Sequence, residues 1–290
     1  MMIRKAVIPV AGFGTRMLPA AKAVPKEMLP VLDRPTVQYV VEECAAAGIS
    51  DVLLITSREK RAIEDHFDRN PELEQRLQAK GKESLLDSIA KLVKHVRIHC
   101  VRQHEQLGLG DAVNHARHHV GDEPFLCLLG DTIFSGDPLP SRQLIDAHQK
   151  LNTAIIALEQ VPPEKVSRYG IVGGDLIGEG LLRLNALVEK PTVETAPSGL
   201  AIAARYILTP AIFDCLDRTP RGAGGEIQLT DALRLLLERE PIHGVVIKSR
   251  RHDIGNPLDW LKTNLVFATR DQKLWSQIEP VLRRLLDEKR

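Results

Sequence analysis

Short apolar runs alternate with amphipathic stretches through the first half of the chain. The apolar runs suit strands that are buried on both faces, and they lie at residues 5–10, 51–56, 96–101 and 125–129. The amphipathic stretches have helical spacing and lie at residues 36–47, 59–67, 83–93 and 112–120. This alternation is typical of strands joined by crossover helices. It predicts an α/β protein with a Rossmann-like mixed, mostly parallel sheet flanked by helices.

The second half of the chain mixes the same two kinds of element less regularly. Strands are predicted at residues 153–160, 171–173, 181–189, 200–208 and 242–248. Helices are predicted at residues 210–216, 229–239, 257–268 and 272–288. A charged helical stretch over residues 70–94 is expected to pack on the outside. Because we find no internal repeat, linker or low-complexity segment, we expect one continuous domain over residues 1–290.

Composition argues against several kinds of partner. The formal net charge is +1 and aromatic residues make up 4% of the chain, which gives no case for nucleic acid or membrane binding. No apolar stretch approaches the length of a membrane span, and the N-terminus has no signal-peptide pattern. The cysteines lack the spacing of a zinc site. We therefore expect a cytoplasmic protein with four buried free thiols. These are Cys44, Cys100, Cys127 and Cys215.

A glycine-rich loop, AGFGTR over residues 11–16, follows the first predicted strand. At the carboxyl end of a strand, such glycines let backbone N–H groups approach phosphate, and Arg16 adds a guanidinium group. The dinucleotide fingerprint is incomplete, because a third glycine is missing and Pro19 and Pro25 interrupt the following helix. The GxxxxGK[ST] loop is absent as well. From this loop alone, a phosphate site and a simple tight turn both remain open.

Two lysines follow in a segment that prolines stiffen. Fixed φ angles can hold Lys26 towards a polyphosphate, although Lys22 and Lys26 taken alone also fit solvated surface charges. Read together, residues 11–31 are AGFGTRMLPAAKAVPKEMLPV. This run resembles the signature of the nucleoside-diphosphate-sugar pyrophosphorylases. Its second part is similar to the bacterial members that use UTP and glucose 1-phosphate.

The resemblance implies a nucleotide site mainly within residues 1–135. The segment RQHEQLGLGDAV, residues 102–113, looks like the family segment in which a glutamine recognises the uracil edge and a glycine lies against the base. Those roles fall to Gln103 and Gly108. Arg16 and Lys26 would stabilise charge on the β- and γ-phosphates. The implied nucleotide-binding residues are Ala11, Gly12, Gly14, Thr15, Glu27, Gln103, Gly108 and Asp131.

The resemblance also implies a sugar-phosphate site mainly within residues 136–255, with residues 256–290 forming C-terminal helices. The segments YGIV (169–172), VEKP (188–191) and GGEIQLTD (224–231) match the family pattern. The implied sugar-phosphate residues are Gly170, Glu189, Lys190 and Glu226. Lys190 would place the sugar phosphate, and it completes a catalytic set with Arg16 and Lys26.

Magnesium is the implied cofactor. Asp131 ends the fourth predicted strand, and an acidic residue there is a natural Mg²⁺ ligand. The family's D-x-G motif assigns the second ligand to Asp253. The sugar phosphate would attack the α-phosphorus in line with departing pyrophosphate, so that catalysis rests on positioning and charge neutralisation. Four positions depart from the family pattern, namely Ala21, Asp111, Thr132 and His252.

The expected substrates are UTP and glucose 1-phosphate, and many members of this family form dimers or tetramers, so a homo-oligomer is expected. The nearest alternative keeps the chemistry but changes the base, for example to that of dTTP or CTP, or the hexose phosphate. A non-catalytic regulatory paralogue is a second alternative, although it would be free to lose the charged residues that this chain keeps. An NAD-dependent oxidoreductase is the weakest alternative, because this chain contains only part of the dinucleotide-binding fingerprint.

Overall fold

A nine-stranded sheet forms the centre of the fold, in a computed structural model that describes residues 2–288. Its strands are β1 (Lys5–Pro9), β4 (Asp51–Thr56), β5 (Arg97–Arg102), β6 (Phe125–Leu128), β8 (Ala154–Gln160), β9 (Gly170–Gly178), β10 (Leu181–Glu189), β11 (Leu200–Leu208) and β12 (Ile242–Val246). Two short pairs lie outside it: β2 (Pro30–Val31) with β3 (Arg34–Pro35), and β7 (Thr132–Ser135) with β13 (Arg250–Asp253). The helices are α1 (Thr36–Ala46), α2 (Arg61–Phe67), α3 (Pro71–Gln78), α4 (Asp87–His95), α5 (Leu109–Asn114), α6 (Arg117–Val120), α7 (Pro140–Leu151), α8 (Ala211–Arg218), α9 (Leu229–Leu237), α10 (Pro257–Ala268) and α11 (Gln272–Asp287).

The order of strands across the sheet is β5-β4-β1-β6-β11-β8-β12-β10-β9. The first four are parallel to one another, and β8 is parallel to β12. Strand β11 is antiparallel to both β6 and β8, and β9 and β10 form an antiparallel hairpin. The predicted mixed α/β sheet is thus confirmed. Its parallel block is the first half of the chain, where strands and helices alternate in sequence.

Both faces of β1 and β4 in the parallel block are covered, whereas the edge strand β5 has no buried residue. Ala6 and Ile8 of β1 belong to one apolar cluster, and Val7 belongs to the cluster on the opposite face. Strand β4 alternates in the same way, with Leu54 in the first cluster and Leu53 in the second. Since successive strand residues point to opposite faces, a strand covered on both sides must be apolar throughout. This is why the sequence reads as continuous apolar runs.

Several elements differ from their predicted bounds. The helix predicted at residues 112–120 is two short helices, α5 and α6, and the strand predicted at residues 171–173 extends through Gly170–Gly178. The extension arises because β9 continues as a hairpin with β10 beyond the core, where its outer residues are exposed. Strands β7 and β13 were not predicted. Each has only four residues, too few for a periodic pattern.

Two further predictions concern the outer parts of the fold, namely helix α3 and the cysteines. Helix α3, within the predicted outer stretch, has no buried residue. Three of the four free cysteines are buried as expected, but Cys100 is exposed. That expectation was wrong because Cys100 lies on β5, the edge strand of the sheet. Within residues 2–288, no helix combines the length and the apolar character that crossing a membrane would require.

Candidate active site

Two adjoining chambers open at the carboxyl ends of β1 and β6. The larger has a volume of about 540 Å³ and the smaller a volume of about 200 Å³. Both are lined by Arg16, Leu109, Leu129 and Asp131. A ligand that extends from one chamber into the other must therefore pass the two charged members of this set, Arg16 and Asp131.

The glycine-rich loop forms one wall of the larger chamber. The predicted residues that line it here are Ala11, Gly12, Gly14 and Thr15. Gly14 has a φ of 68°, and a Cβ at this position would lie only 3.2 Å from the Cβ of Lys26. Glycine supplies the left-handed backbone and leaves room for the lysine stem. After the loop the chain makes short 3-10 turns instead of the long helix of a dinucleotide site.

Lys26 is directed into the cleft and contacts Asp131. Its Nζ donates to Asp131 Oδ2 at 2.6 Å. Burial alone would lower the pKa of Lys26, but Asp131 and Glu27 together hold that pKa above its usual value. Burial would likewise raise the pKa of Asp131, yet Lys26 and Arg16 keep it below its usual range. The ammonium and the carboxylate are both charged, as binding of phosphate and of a cation requires.

Glu27 holds the lysine turn in place from behind. It is 1% exposed, and Lys60 Nζ donates to its Oε2 at 2.8 Å. Lys60 is buried too and lies just before α2. Glu27 was predicted to bind nucleotide. It does line the larger chamber, but its carboxylate is already paired with Lys60.

Asp131 and Asp253 come together because β7 pairs with β13. The pairing sets Thr132 opposite Asp253, and the N–H of Ile254 donates to the carbonyl of Asp131 at 2.9 Å. Burial raises the pKa of Asp253, and the nearby Asp131 carboxylate raises it further. A cation between two such carboxylates would relieve this repulsion.

The donor set at this point fits a hard cation that also needs ligands from elsewhere. Among residues 2–288 no group of three or more histidine, cysteine, aspartate or glutamate side chains is arranged to hold a metal ion. Two carboxylates beside a glycine-rich loop suit Mg²⁺, which usually takes one or two protein carboxylates and completes its shell with water and phosphate oxygens.

The far end of the larger chamber contains Gln103 and Gly108. The Nε2 of Gln103 donates to Asp111 Oδ2 at 2.7 Å and approaches the carbonyl of Gly108 at 3.3 Å. Gly108 has a φ of 105°, and a Cβ there would lie 2.7 Å from the carbonyl oxygen of Ile227. This close approach brings Glu226 beside the larger chamber, although the sequence had predicted it on the sugar side.

The smaller chamber contains two of the other three residues predicted for the sugar phosphate. Gly170 and Glu189 line it, and Thr230 Oγ1 donates to Glu189 Oε2 at 2.7 Å. Lys190 does not line either chamber. Its side chain is 57% exposed, and its Nζ lies 3.4 Å from Glu189 Oε1. Lys190 thus lies at the rim, next to a residue of the chamber wall.

The chain is similar to known proteins in both sequence and fold. The sequence model described as "Nucleotidyl transferase" matches residues 5–270. The chain belongs to the nucleotidyl transferase family. The matched part of this nucleotidyl transferase includes both chambers and ends before α11.

Relatives of this nucleotidyl transferase match over nearly their whole length. It is 48% identical to the UTP–glucose-1-phosphate uridylyltransferase of Bacillus subtilis (strain 168), over 99% of this chain and 98% of that protein. It superposes on a UTP-bound UGPase from Acinetobacter baumannii with a TM-score of 0.91 and 39% identity, covering 98% of this chain and 100% of that one. A UDP-glucose pyrophosphorylase complexed with UDP-glucose gives a TM-score of 0.86 and 39% identity, covering 93% of this chain and 100% of that one.

Sequence reasoning missed a buried ion pair next to Asp131, where the two chambers of this nucleotidyl transferase meet. Arg205 is fully buried on β11 and makes two-pronged contacts with Glu43 of α1, the shortest at 2.8 Å. Its guanidinium also donates to the carbonyls of Leu129 and Thr132, at 3.4 and 2.8 Å, on either side of Asp131. The available signal was a single charge, Arg205, within an otherwise apolar strand.

Proposed function

We propose that this nucleotidyl transferase moves the uridylyl group of UTP to glucose 1-phosphate, forming UDP-glucose and pyrophosphate. The observation that carries the proposal is the pair of adjoining chambers that meet at Arg16 and Asp131. This arrangement suits an enzyme that joins two substrates at a phosphate. Full-length similarity to enzymes named for this reaction supports the choice of substrates.

The larger chamber would take UTP. The backbone N–H groups of the glycine-rich loop would face the phosphates, with Arg16 and Lys26 neutralising their charge. Gln103 and Gly108 would contact the base. Thr15 and Glu27 would support the loop, and the side chain of Lys26 would exchange Asp131 for a phosphate oxygen when the nucleotide binds.

The smaller chamber would take glucose 1-phosphate. Glu189 would accept hydrogen bonds from sugar hydroxyls, and Gly170 would let the hexose lie against the backbone. Lys190 would reach in from the rim to hold the phosphate that attacks. That phosphate is already anionic near neutral pH, so that no side chain needs to remove a proton.

We also propose Asp131 and Asp253 as the residues that hold Mg²⁺. When bound, the ion would neutralise charge on the phosphates of both substrates. Arg16 lies close by, with its Nη2 near the backbone of Gly255 just after Asp253. Because one phosphoanhydride is exchanged for another, we expect the reaction to be readily reversible.

The deciding experiment measures pyrophosphate release from purified protein with Mg²⁺ and glucose 1-phosphate. UTP, dTTP, CTP, ATP and GTP are offered in parallel reactions. A strong preference for UTP is expected. Folded protein that releases no pyrophosphate with any of the five would contradict the proposal for these substrates.

Two properties of the whole protein remain proposals of the same kind. A homo-oligomer, either a dimer or a tetramer, follows from the family resemblance and is measured by light scattering on a size-exclusion column. The cytoplasm is the proposed location, with no nucleic acid or membrane as a partner.

A further inference from the structure

The amide of Gln103 has only one orientation that its surroundings permit. Its Nε2 lies 2.7 Å from Asp111 Oδ2 and 3.3 Å from the carbonyl oxygen of Gly108. A carboxylate and a carbonyl accept hydrogen bonds and do not donate them. An amide turned the other way would place its own carbonyl oxygen against these two acceptors. The nature of the two partners therefore fixes which end of the amide faces them.

The carbonyl end of the same amide is left for a ligand. Gln103 is buried, but it lines the larger chamber. Among the side chains of residues 2–288, the only enclosed nitrogen or oxygen without a hydrogen-bond partner is His148 Nε2. Gln103 Oε1 accepts no hydrogen bond from the described residues, so it must be open to the chamber. The chamber wall thus presents a hydrogen-bond acceptor at this point.

The parts that hold the amide are themselves well fixed. Asp111 lies in the first turn of α5, and its backbone carbonyl is 2.9 Å from His115 Nδ1. The turn before it is fastened to a second segment, because the N–H of Gly110 donates to Ile227 O and the N–H of Ile227 donates to Leu107 O. Rotating the Gln103 amide would therefore cost its strongest hydrogen bond and gain none in return.

We propose that Asp111 makes the nucleotide site selective for bases with a ring N–H donor, by fixing Gln103 with its carbonyl oxygen towards the base. This inference rests on the proposed function. Uracil carries such a donor at N3 and can satisfy the exposed oxygen. Cytosine has an unprotonated N3, and adenine an unprotonated N1, so each would set an acceptor against an acceptor. Thymine keeps the N3 donor and is not rejected by this contact.

The test compares UTP with CTP in the near-isosteric variant Asp111→Asn. An asparagine can offer either its oxygen or its amide group to Gln103. Only the longer 3.3 Å contact with the Gly108 carbonyl then opposes turning the glutamine amide group towards cytosine. We expect the ratio of kcat/KM for UTP to that for CTP to fall about 10-fold, the worth of one hydrogen bond. A loss of folded protein would lower both rates together and leave the ratio unchanged. The matched control is Asp214→Asn in the first turn of α8, at an acidic residue that lines neither chamber and pairs with Arg239. It should keep the wild-type ratio.

A double-mutant cycle with Gln103→Ala shows whether Asp111 acts through the glutamine. Without the Gln103 amide, adding Asp111→Asn should change the UTP/CTP ratio no further. Wild-type protein that prefers UTP, together with an Asp111→Asn variant of undiminished ratio, would overturn the inference alone. So would an equal fall of the ratio in the Gln103→Ala background. Wild-type protein with no UTP-dependent activity would instead overturn the proposed function and the inference together.

Discussion

At the scale of single residues, Lys26 donates a hydrogen bond to Asp131 Oδ2, an oxygen that a metal ion bound at Asp131 would also need as a ligand. The lysine is held there by a 2.6 Å contact, and its stem packs against Gly14. Because the glycine-rich loop and the lysine turn support each other, the ammonium can move from carboxylate to phosphate with little reordering of the backbone. In the proposed function, the ammonium would already be in position when the triphosphate binds.

Lys26→Ala should reduce kcat with UTP by about 10²- to 10³-fold, because a positioned charge on the phosphates is lost. The matched control is Lys22→Ala. Lys22 belongs to the same proline-stiffened segment but is exposed and lines neither chamber. Steady-state kinetics of pyrophosphate release measure both variants. An equal loss of rate in the two would show that Lys26 has no special role.

Lys190→Ala should chiefly raise the KM for glucose 1-phosphate and leave the KM for UTP near its wild-type value. The reason is the position of the lysine at the rim of the smaller chamber, beside Glu189. The control is Lys248→Ala, a lysine that is also exposed. If initial-rate measurements give unchanged constants for both substrates, Lys190 does not hold the sugar phosphate.

The residues of the cleft could be named from sequence only where they share a short motif. Residues 11–31 predicted the loop with Gly14 and the turn with Lys26, because the whole run resembles one family signature. The contact between Gln103 and Asp111 was not predicted, since it depends on a side-chain orientation that no spacing encodes. The family resemblance placed Glu226 near the sugar site. No sequence pattern indicated the hydrogen bonds between Ile227 and the turn before α5, which bring Glu226 to the larger chamber.

At the scale of elements, the short pair β7–β13 brings the second acidic residue to the cleft. A buried hydrogen bond, 2.7 Å long, joins Ser135 Oγ of β7 to His252 Nε2 of β13. Burial, with Arg250 and Arg270 adding to it, lowers the pKa of His252 to about 4. The pairing of these strands therefore depends on a neutral imidazole.

Replacing His252 should change how stability depends on pH. An unfolded histidine titrates near pH 6.5, so between about 6.5 and 4 only the unfolded chain takes up this proton. The wild type should accordingly lose free energy of unfolding relative to His252→Gln as pH falls through that window, and not above it. Urea unfolding of both proteins from pH 7.5 to 4.5 measures the difference. A difference that stays constant with pH would contradict a neutral buried His252.

Glu43→Gln should destabilise the protein by roughly 3–5 kcal/mol, because Arg205 would be left as a buried charge without its partner. The control is Glu42→Gln at the preceding residue of α1. Glu42 pairs with Arg34 nearer the surface, so this change should alter the free energy of unfolding by about 1 kcal/mol or less. Urea unfolding at pH 7.5 measures both. Similar effects in the two variants would contradict a special role for the Arg205 pair.

The elements of the parallel block could be predicted because burial on both faces leaves a strong apolar pattern. The elements that complete the cleft could not. Strands β7 and β13 are separated by more than a hundred residues and owe their pairing to tertiary packing. Arg205 reads in sequence as a solitary charge within a strand, and only the fold reveals that Glu43 faces it.

At the scale of the whole molecule, α10 links two distant chain segments that meet at Asp131. The helix follows Asp253 closely, and its Trp260 Nε1 donates to the carbonyl of Pro30, at 2.9 Å. Its Asn264 Oδ1 also accepts from the N–H of Leu32 at 2.9 Å. Pro30 and Leu32 come just after the turn that holds Lys26. One helix thus connects the segment of the proposed phosphate-binding lysine with the segment of the second carboxylate.

The lining residues that the two chambers share also bear on how long each bound molecule would stay. Each substrate would fill one chamber, whereas UDP-glucose would fill both. Its two parts would be bound in separate chambers and joined to each other covalently. Letting go of one end leaves the other in place, so that the freed half returns before the molecule diffuses away. Departure of UDP-glucose should therefore be the slow event of each cycle. UDP-glucose that accumulates would then inhibit the enzyme by occupying its active site, without a separate regulatory site.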